Sequence, residues 1–345
     1  MEGVLMATRS VYAKAGVDID KGNQAVSKIK EMVKQLGVKE IGKFSGFFPL
    51  KMKMNQPVLV SSADGVGTKL KIAFMTGIHN TIGKDLVNHC VDDILVYGAK
   101  PLFFLDYIAS GKVEPDTISA IVSGMLESCM ENNFVLLGGE TAEMPGFYNA
   151  NEYDVAGFIV GIVDQEKVVD GKNICKGDLL IGLPSSGLHT NGYSLARHVI
   201  FDQLKLTVDS KLDELPLTIG EELLKVHRSY LKPVSQLLDK NLLKGMAHIT
   251  GGGFVDNIPR ILPEHVGVQI EPIWPVPPLF TFLCERGKVS KKERYRVLNM
   301  GIGMVLVIDK NLLSQVENLL DSIGESYYLM GQVTDKKGKE QIKIN

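Results

Sequence analysis

The chain reads as an α/β protein of two domains, and three observations carry that reading. At 345 residues it is too long for one ordinary hydrophobic core. Short apolar runs of strand length alternate with stripes at helical spacing along the sequence. Between Asp164 and Asn173 the composition turns polar, which divides the chain into residues 1–168 and 169–345. Apolar residues make up 45% and charged residues 23%, ordinary for a globular protein. A formal net charge of −2 argues against nucleic acid or an anionic membrane as the main partner. Cys90, Cys129, Cys175 and Cys284 show no paired spacing and read as reduced core thiols, with neither a zinc site nor a disulfide framework. Residues 1–10 hold no apolar stretch of signal-peptide length and no membrane span is evident, so a cytoplasmic protein is expected.

In order, Tyr12 to Asp18 is a small-residue loop leading into a helix whose Ala25, Ile29, Met32, Val33 and Leu36 share one face, with Gly37 placed to end it. Gly37 to Lys43 matches most of a Walker A pattern. Phe44 stands where a magnesium-binding hydroxyl is required and a helix precedes the stretch, so the P-loop reading is rejected. Pro57 to Val60 is a short buried strand, and Ser61 to Lys69 is expected as the loop after it. That loop gathers Asp64, Gly65, Gly67, Thr68 and Lys69. A metal–phosphate site needs such groups: a hard oxygen ligand, backbone that can approach closely, and a compact positive charge. From this stretch alone a strand-end turn is an equal alternative. A lysine in this position is expected outside the core.

The next helix, about Thr81 to Tyr97, carries Ile82, Leu86, Val87, Cys90, Val91, Ile94 and Leu95 as a broad stripe closed by Gly98. At about 100° per residue, Asp93 falls inside the stripe and Asp92 falls with Asp85 and Asn88 on the polar face. A carboxylate facing inward must be paired or bind metal, so Asp93 is the candidate and Asp92 is expected to be solvated. Lys84, Asp85 and His89 are expected at the surface or rim. After the strand Leu102 to Ile108 comes a helix from Pro115 to about Asn132. The strand Phe134 to Leu137 then feeds Gly138 to Gly146, which repeats the logic with Glu140 and Thr141. Tyr153 to Val163 is a further strand. These strands are apolar on consecutive positions, so both faces of their sheet want cover, and three helices cover one face better than two.

The second domain opens with the strand Asp178 to Leu183, followed by a loop holding Ser185, Ser186, Gly187, His189, Thr190 and Asn191 that opens a helix. Such a loop offers free backbone N–H groups to an anion. His189 reads either as a donor to a ligand or as a packed loop histidine. His248 to Phe254, with Thr250, Gly251 and Gly252, repeats the arrangement before a helix with Asn257 and Arg260. Three consecutive glycines cost folding entropy, which points to close backbone approach. Trp274, in a proline-rich connector, is expected in the core. Asn299 to Met304 precedes the strand Val305 to Ile308, and the last strand is Tyr327 to Val333.

At these motifs the sequence resembles the phosphoribosylformylglycinamidine cyclo-ligase (aminoimidazole ribonucleotide synthetase) family, over nearly the whole chain. The resemblance rests on Tyr12–Asp18, Asp64–Lys69, Asp93, Gly138–Gly146, Ser185–Arg197, His248–Gly253 and Asn299–Met304. Two departures are visible: Asp92 stands where the family carries asparagine, and 44–48 varies a more glycine-rich loop. The resemblance implies ATP-dependent closure of formylglycinamidine ribonucleotide to 5-aminoimidazole ribonucleotide, with ADP and phosphate released. It implies Mg2+ on the ATP phosphates held by Asp64, Asp93 and Glu140, with Lys69, Gly65, Gly67, Thr68 and Thr141 beside them. It implies substrate held by Ser186, Gly187, His189, Thr190, Asn191, Thr250, Gly251 and Gly252, with Lys69 and His189 as the catalytic candidates. It also implies a homodimer in which first-domain strands of two subunits form a shared barrel, and a C-terminal α/β sandwich domain. Within the superfamily, selenophosphate synthetase and thiamine-monophosphate kinase share the acidic ATP site. The former calls for a reactive Cys or selenocysteine near the N-terminus, whereas Cys90 is the earliest here. The latter lacks a Ser185–Arg197 style of loop. A non-catalytic nucleotide-binding module is the remaining alternative.

Overall fold

The structure is a computed structural model and describes residues 19–35, 45–336 and 338–345. The Tyr12–Asp18 loop, the Walker A-like stretch 37–43 and Phe44 lie outside the described residues. Two sheets organise the chain, one built from residues 57–164 and one from residues 179–344.

The first sheet is reached through helix α1 (Ile19–Gln35). Strand β1 (Pro57–Gly65) is followed by a 3-10 turn at Gly67–Lys69, α2 (Leu70–Thr76) and α3 (Asn80–Leu95). Then come β2 (Lys100–Ser110), α4 (Pro115–Glu131), β3 (Val135–Glu143) and β4 (Tyr153–Asp164). The strands lie in the order β1–β4–β2–β3. β2 and β3 are parallel across the α4 crossover, and β4 runs antiparallel to its neighbours. α4 starts on Pro115, whose missing N–H costs a first turn nothing.

α3 and α4 cover one face of this sheet and touch through glycines. A Cβ on Gly83 would stand 2.0 Å from Ile121 O, and one on Gly124 would stand 1.9 Å from Asn80 O. The other face is open: Leu59, Tyr107 and Phe158 are 59%, 38% and 44% exposed. Register sets Ala63, Phe158 and Leu105 side by side on it, next to Ser61, Val160 and Phe103.

One expectation is corrected here. Asp64 and Glu140 do not sit in loops after their strands. Both lie within strands, because the ladder continues through Asp64↔Gly157 and Tyr107↔Glu140. Gly138 and Gly139 read as turn formers in sequence, yet here they pair with Leu105 and Asp106.

The second unit contains β5 (Leu179–Pro184), α5 (Tyr193–Arg197, continued by a π-helical segment to Gln203), α6 (Ile219–Leu224), α7 (Leu231–Asp239), β6 (Gly245–His248) and α8 (Gly253–Asn257). It continues with β7 (Val266–Ile270), α9 (Pro278–Arg286), α10 (Lys291–Val297), β8 (Ile302–Ile308), α11 (Leu313–Ser322), β9 (Tyr328–Asp335) and β10 (Ile342–Ile344). The strand order is β10–β7–β9–β5–β8–β6. Every residue of β8 is buried, as an unbroken apolar run predicts. Trp274 is core as expected, and its Nε1–H donates to Met300 O at 2.9 Å. Three cysteines are buried and free, but Cys175 is exposed, so it is no core thiol. Among the described residues no helix is long and apolar enough to cross a membrane.

Candidate functional site

The two units meet along α3. Its polar face, with Asp85, Asn88 and Asp92, is not solvated: all three side chains are buried. Asp85 Oδ1 accepts the His227 backbone N–H at 2.7 Å, and Asp92 Oδ1 accepts that of Tyr230 at 2.8 Å. Asn88 Nδ2 donates to His227 O at 2.7 Å. The expectation that Asp92 is solvated, with Asp85 at the surface or rim, is therefore corrected. Helical periodicity separates an apolar from a polar face, but it cannot say whether water or a second unit covers the polar one. Burial pushes the Asp92 carboxyl well above its ordinary range, against the pull of the Tyr230 N–H.

Lys69 also differs from expectation. It is fully buried, its Nζ is 2.8 Å from Asp85 Oδ2, and it donates to Lys225 O at 2.7 Å and His189 O at 3.4 Å. Burial lowers its pKa and raises that of Asp85, and their mutual attraction opposes both shifts. In this arrangement the ammonium group joins β1's trailing turn to the second unit rather than pointing at open space.

Asp64 and Asp93 stand at the mouth of the same seam, with side chains 42% and 27% exposed. Asp64 Oδ1 accepts the Gly65 N–H at 2.7 Å, and Asp93 Oδ2 accepts Ser62 Oγ–H at 3.0 Å. Each remaining oxygen meets an imidazole. His89 Nε2 lies 3.0 Å from Asp64 Oδ2, and His248 Nδ1 lies 2.8 Å from Asp93 Oδ1. Partial burial works against both charges. His89 and the Gly65 N–H still hold the Asp64 carboxyl below the usual range, and His248, His89 and Ser62 do the same for Asp93. Burial alone would lower His89, yet Asp64, Asp93 and Asp85 hold it above its ordinary value.

Behind these carboxylates four of the chain's seven histidines gather. His89 Nδ1 lies 2.8 Å from Thr190 Oγ1, and His248 Nε2 lies 3.1 Å from His227 Nε2. The His189 and His227 rings stack with centroids 3.9 Å apart. Burial pushes His189 and His227 well below the ordinary imidazole range. His189 adopts φ +63°, a conformation few non-glycine residues take, and its Nε2 accepts the Ser186 N–H at 3.2 Å. It is thus a buried histidine tied to its own loop.

The two glycine-rich loops of the second unit lie together beside this cluster. A Cβ on Gly251 would stand 3.2 Å from Asn191 Oδ1. Asn257 Nδ2 donates to Gly251 O and Gly253 O at 3.2 and 2.8 Å, which fixes the Thr250–Gly253 turn. Asn299 Nδ2 donates to Gly187 O at 2.9 Å, and Ser186 Oγ donates to Val226 O. Thr68 Oγ1 lies 3.3 Å from Ser194 Oγ, so the turn holding Gly65, Gly67 and Thr68 abuts α5.

Glu140 and Thr141 are set apart. Asp64, Gly157, Asp106 and Gly139 form one row across the sheet, from β1 to β3. Three strand spacings place the ends of that row about 14 Å apart. Glu140 follows Gly139, so its exposed side chain points to the open face, opposite Asp64 and Asp106. One ion within one chain cannot touch Asp64, Asp93 and Glu140 together, which corrects the expectation of a single three-carboxylate cluster. Burial pushes the Asp106 carboxyl, on the helix-covered side, up to about 7.

Sequence reasoning thus brought Asp64, Asp93, Thr190, Asn191 and the 250–252 turn to one seam and missed His89, His227 and the role of α3's polar face. The available signal was the small number of histidines, since His89 and His227 lie in segments that otherwise look unremarkable in polarity.

Residues 50–163 match the family model for AIR synthase related protein, N-terminal domain, and residues 176–343 match its C-terminal domain. The phosphoribosylformylglycinamidine cyclo-ligase of Geobacillus thermodenitrificans (strain NG80-2) is 51% identical over 333 residues, covering 95% of this chain and 96% of the relative. That of Bacillus cereus (strain AH187) is 50% identical over 335 residues, covering 95% and 97%. Among solved structures, thiamine-monophosphate kinase from Stenotrophomonas maltophilia K279a superposes with a TM-score of 0.68 at 14% identity, over 93% of this chain and 96% of that one. The hydrogenase maturation protein HypE in complex with ATP gives a TM-score of 0.65 at 14% identity, over 90% and 88%. Those structures share the fold; half of all aligned positions are shared with the curated relatives, and the chain belongs to the phosphoribosylformylglycinamidine cyclo-ligase family.

Proposed function

We propose that this chain catalyses the ATP-dependent ring closure of formylglycinamidine ribonucleotide to 5-aminoimidazole ribonucleotide, a step of de novo purine biosynthesis, in the cytoplasm. The observation that carries the reading is the Asp64–Asp93 pair, half open to solvent, at a seam whose far wall is the 186–191 and 250–253 loops.

The substrate amide is a poor electrophile because hydroxide is a poor leaving group. Transfer of the γ-phosphoryl group to the amide oxygen, with ADP leaving, makes an imidate phosphate. The neighbouring amidine nitrogen then attacks that carbon, loses a proton, and phosphate departs with the former amide oxygen. Catalysis of this kind is mostly positioning and charge stabilisation. A divalent cation such as Mg2+ at Asp64 and Asp93 would neutralise charge on the ATP phosphates. The Gly65, Gly67 and Thr68 backbone lies beside these carboxylates to meet phosphate oxygens. The loops holding Ser186, Gly187, Thr190, Asn191, Thr250, Gly251 and Gly252 receive the phosphoribosyl end of the substrate. Lys69 and His189 act by fixing the 189 loop against β1's trailing turn, since both are buried. Incubating the protein with ATP, Mg2+ and formylglycinamidine ribonucleotide yields 5-aminoimidazole ribonucleotide and ADP in equal amounts; ATP turnover without the aminoimidazole product refutes the reading.

The functional unit proposed is a homodimer joined through the open face of the first sheet. Leu59, Tyr107 and Phe158 make that face apolar and leave it uncovered in one chain. Glu140 and Thr141 belong to β3, whose Glu140 shares that face, so they would reach nucleotide near the subunit boundary. Sedimentation at sub-micromolar concentration gives a dimer, and Phe158→Asp shifts it to monomer; an active wild-type monomer there refutes the dimer.

A further inference from the structure

We propose that His89 is a positioning residue of the candidate site: it joins Asp64 to Thr190 and so sets the direction in which that carboxylate presents its oxygens. The inference rests on the reading of Asp64 as a cation ligand and concerns what holds Asp64 in place.

Asp64 stands near the end of β1 with its side chain 42% exposed. Its own strand supplies one hold, the Gly65 N–H on Oδ1 at 2.7 Å. A carboxylate with that contact alone turns readily about its last bond, because such torsions have broad minima. His89 supplies the second hold, with Nε2 3.0 Å from Oδ2. An ionised carboxylate only accepts, so Nε2 carries a proton whether the ring is neutral or charged, and the bond stands in both states. Each Asp64 oxygen accepts one hydrogen bond in this arrangement and keeps lone-pair capacity for an ion on the open side.

The ring is itself held from the other unit. His89 Nδ1 lies 2.8 Å from Thr190 Oγ1, whereas His227 Nδ1 is farther from the same hydroxyl, at 3.5 Å. Asn191 Nδ2 donates to Thr190 Oγ1 at 3.3 Å, so a line of hydrogen bonds runs from Asn191 through Thr190 and His89 to Asp64. His89 and Thr190 are both buried, which keeps water from competing for these contacts. The His227 and His248 rings pack against His89, each with its centroid 5.3 Å away, and restrict its rotation. Imidazole suits the span because its two nitrogens leave a flat ring in different directions, one toward each unit. Thr190 and Asn191 belong to the loop that the proposed function gives to the substrate. Asp64 therefore takes its orientation from the substrate side of the seam. Hydrogen bonds of this kind behind a metal ligand typically change metal affinity by about 10- to 100-fold.

The test measures binding of Mn2+, a paramagnetic substitute for Mg2+, to the full-length protein without turnover, through loss of the free-ion electron paramagnetic resonance signal. His89→Leu weakens binding by about tenfold or more, and His89→Gln, which keeps an N–H for Asp64, recovers most of that loss. Thr190→Val keeps the shape of the side chain and removes only the hydroxyl that holds the ring; it weakens binding by about tenfold. A role in stability alone lowers the melting temperature and leaves the affinity of the folded protein unchanged, so a melting curve accompanies each titration. Should His89→Leu not fold, Thr190→Val carries the test. Binding within about twofold of wild type in both variants, but lost in Asp64→Asn, overturns the inference and leaves the ligand reading standing. His89→Gln binding no better than His89→Leu also overturns it, because the bulk of the ring and not its N–H would then matter. Mn2+ binding that ignores Asp64→Asn overturns both.

Discussion

Two pairs of carboxylates flank the same seam and are treated in opposite ways. Asp85 and Asp92 are wholly buried, and each caps a backbone N–H of the second unit, at His227 and Tyr230. Asp64 and Asp93 lie within a few residues in sequence of turns or helix ends, remain partly open, and face imidazoles. A carboxylate wholly enclosed by the protein has no open side from which to take a ligand. A half-open carboxylate that faces side chains able to give and take protons keeps that capacity. The difference lies in the partners and not in the residue type, which is why adjacent positions on one helix, 92 and 93, are held so differently.

The sharpest way to break this comparison is Asp93→Asn. On the proposed function it removes a cation ligand without altering shape, and turnover is expected to fall by about a thousandfold while thermal stability barely changes. Kinetics and a melting curve on one preparation check it, and a large loss of stability would place Asp93 with the structural pair.

Lys69→Met is expected to act in the reverse sense. It leaves Asp85 buried without its cation, at a cost of about 3 kcal/mol in stability. Burial raises the pKa of Asp85, so the folded chain binds its proton more tightly than the unfolded chain does. Stability from such a group is present below the ordinary value of 3.8 and declines as pH rises through the window up to the folded pKa. Removing Lys69 raises the folded pKa further. The melting-temperature gap between wild type and Lys69→Met therefore widens as pH rises above the ordinary carboxyl value of 3.8; a gap independent of pH would show that the Lys69–Asp85 pair carries no such linkage.

The smallest effect is expected at Asp92. Asparagine keeps an oxygen for the Tyr230 N–H and removes a carboxyl that burial disfavours. Turnover of Asp92→Asn should stay within about threefold of wild type, with stability unchanged or higher by about 1 kcal/mol. A drop in turnover comparable to that of Asp93→Asn would erase the distinction between the two positions.

Much of this molecule is legible from its residues. The apolar runs at 102–108 and 305–308, the stripe of α3 and Pro115 at the start of α4 became the expected elements because local pattern and tertiary burial agree there. The motif order led to the family. The strand ends were misjudged where glycines at 138 and 139 pair in a ladder instead of turning, a matter of partners remote in sequence. Lys69 was misplaced for a related reason: its counter-ion, Asp85, sits on a face that periodicity marks as polar. Whether a polar face meets water or a second folded unit is decided by packing that no window of sequence contains. Glu140 illustrates a third limit, since strand order and not spacing along the chain puts it on the far side of the sheet from Asp64.

The grip of α3 on the 227–230 segment also has a dynamic consequence. The amide hydrogens of His227 and Tyr230 are bonded to side chains of the other unit, not to a helix or sheet of their own. They can exchange with solvent deuterium only when the seam opens, whereas amides inside β8 report the integrity of the second sheet alone. Their exchange rates therefore measure how often the two halves part, and comparing them with β8 separates that opening from global unfolding.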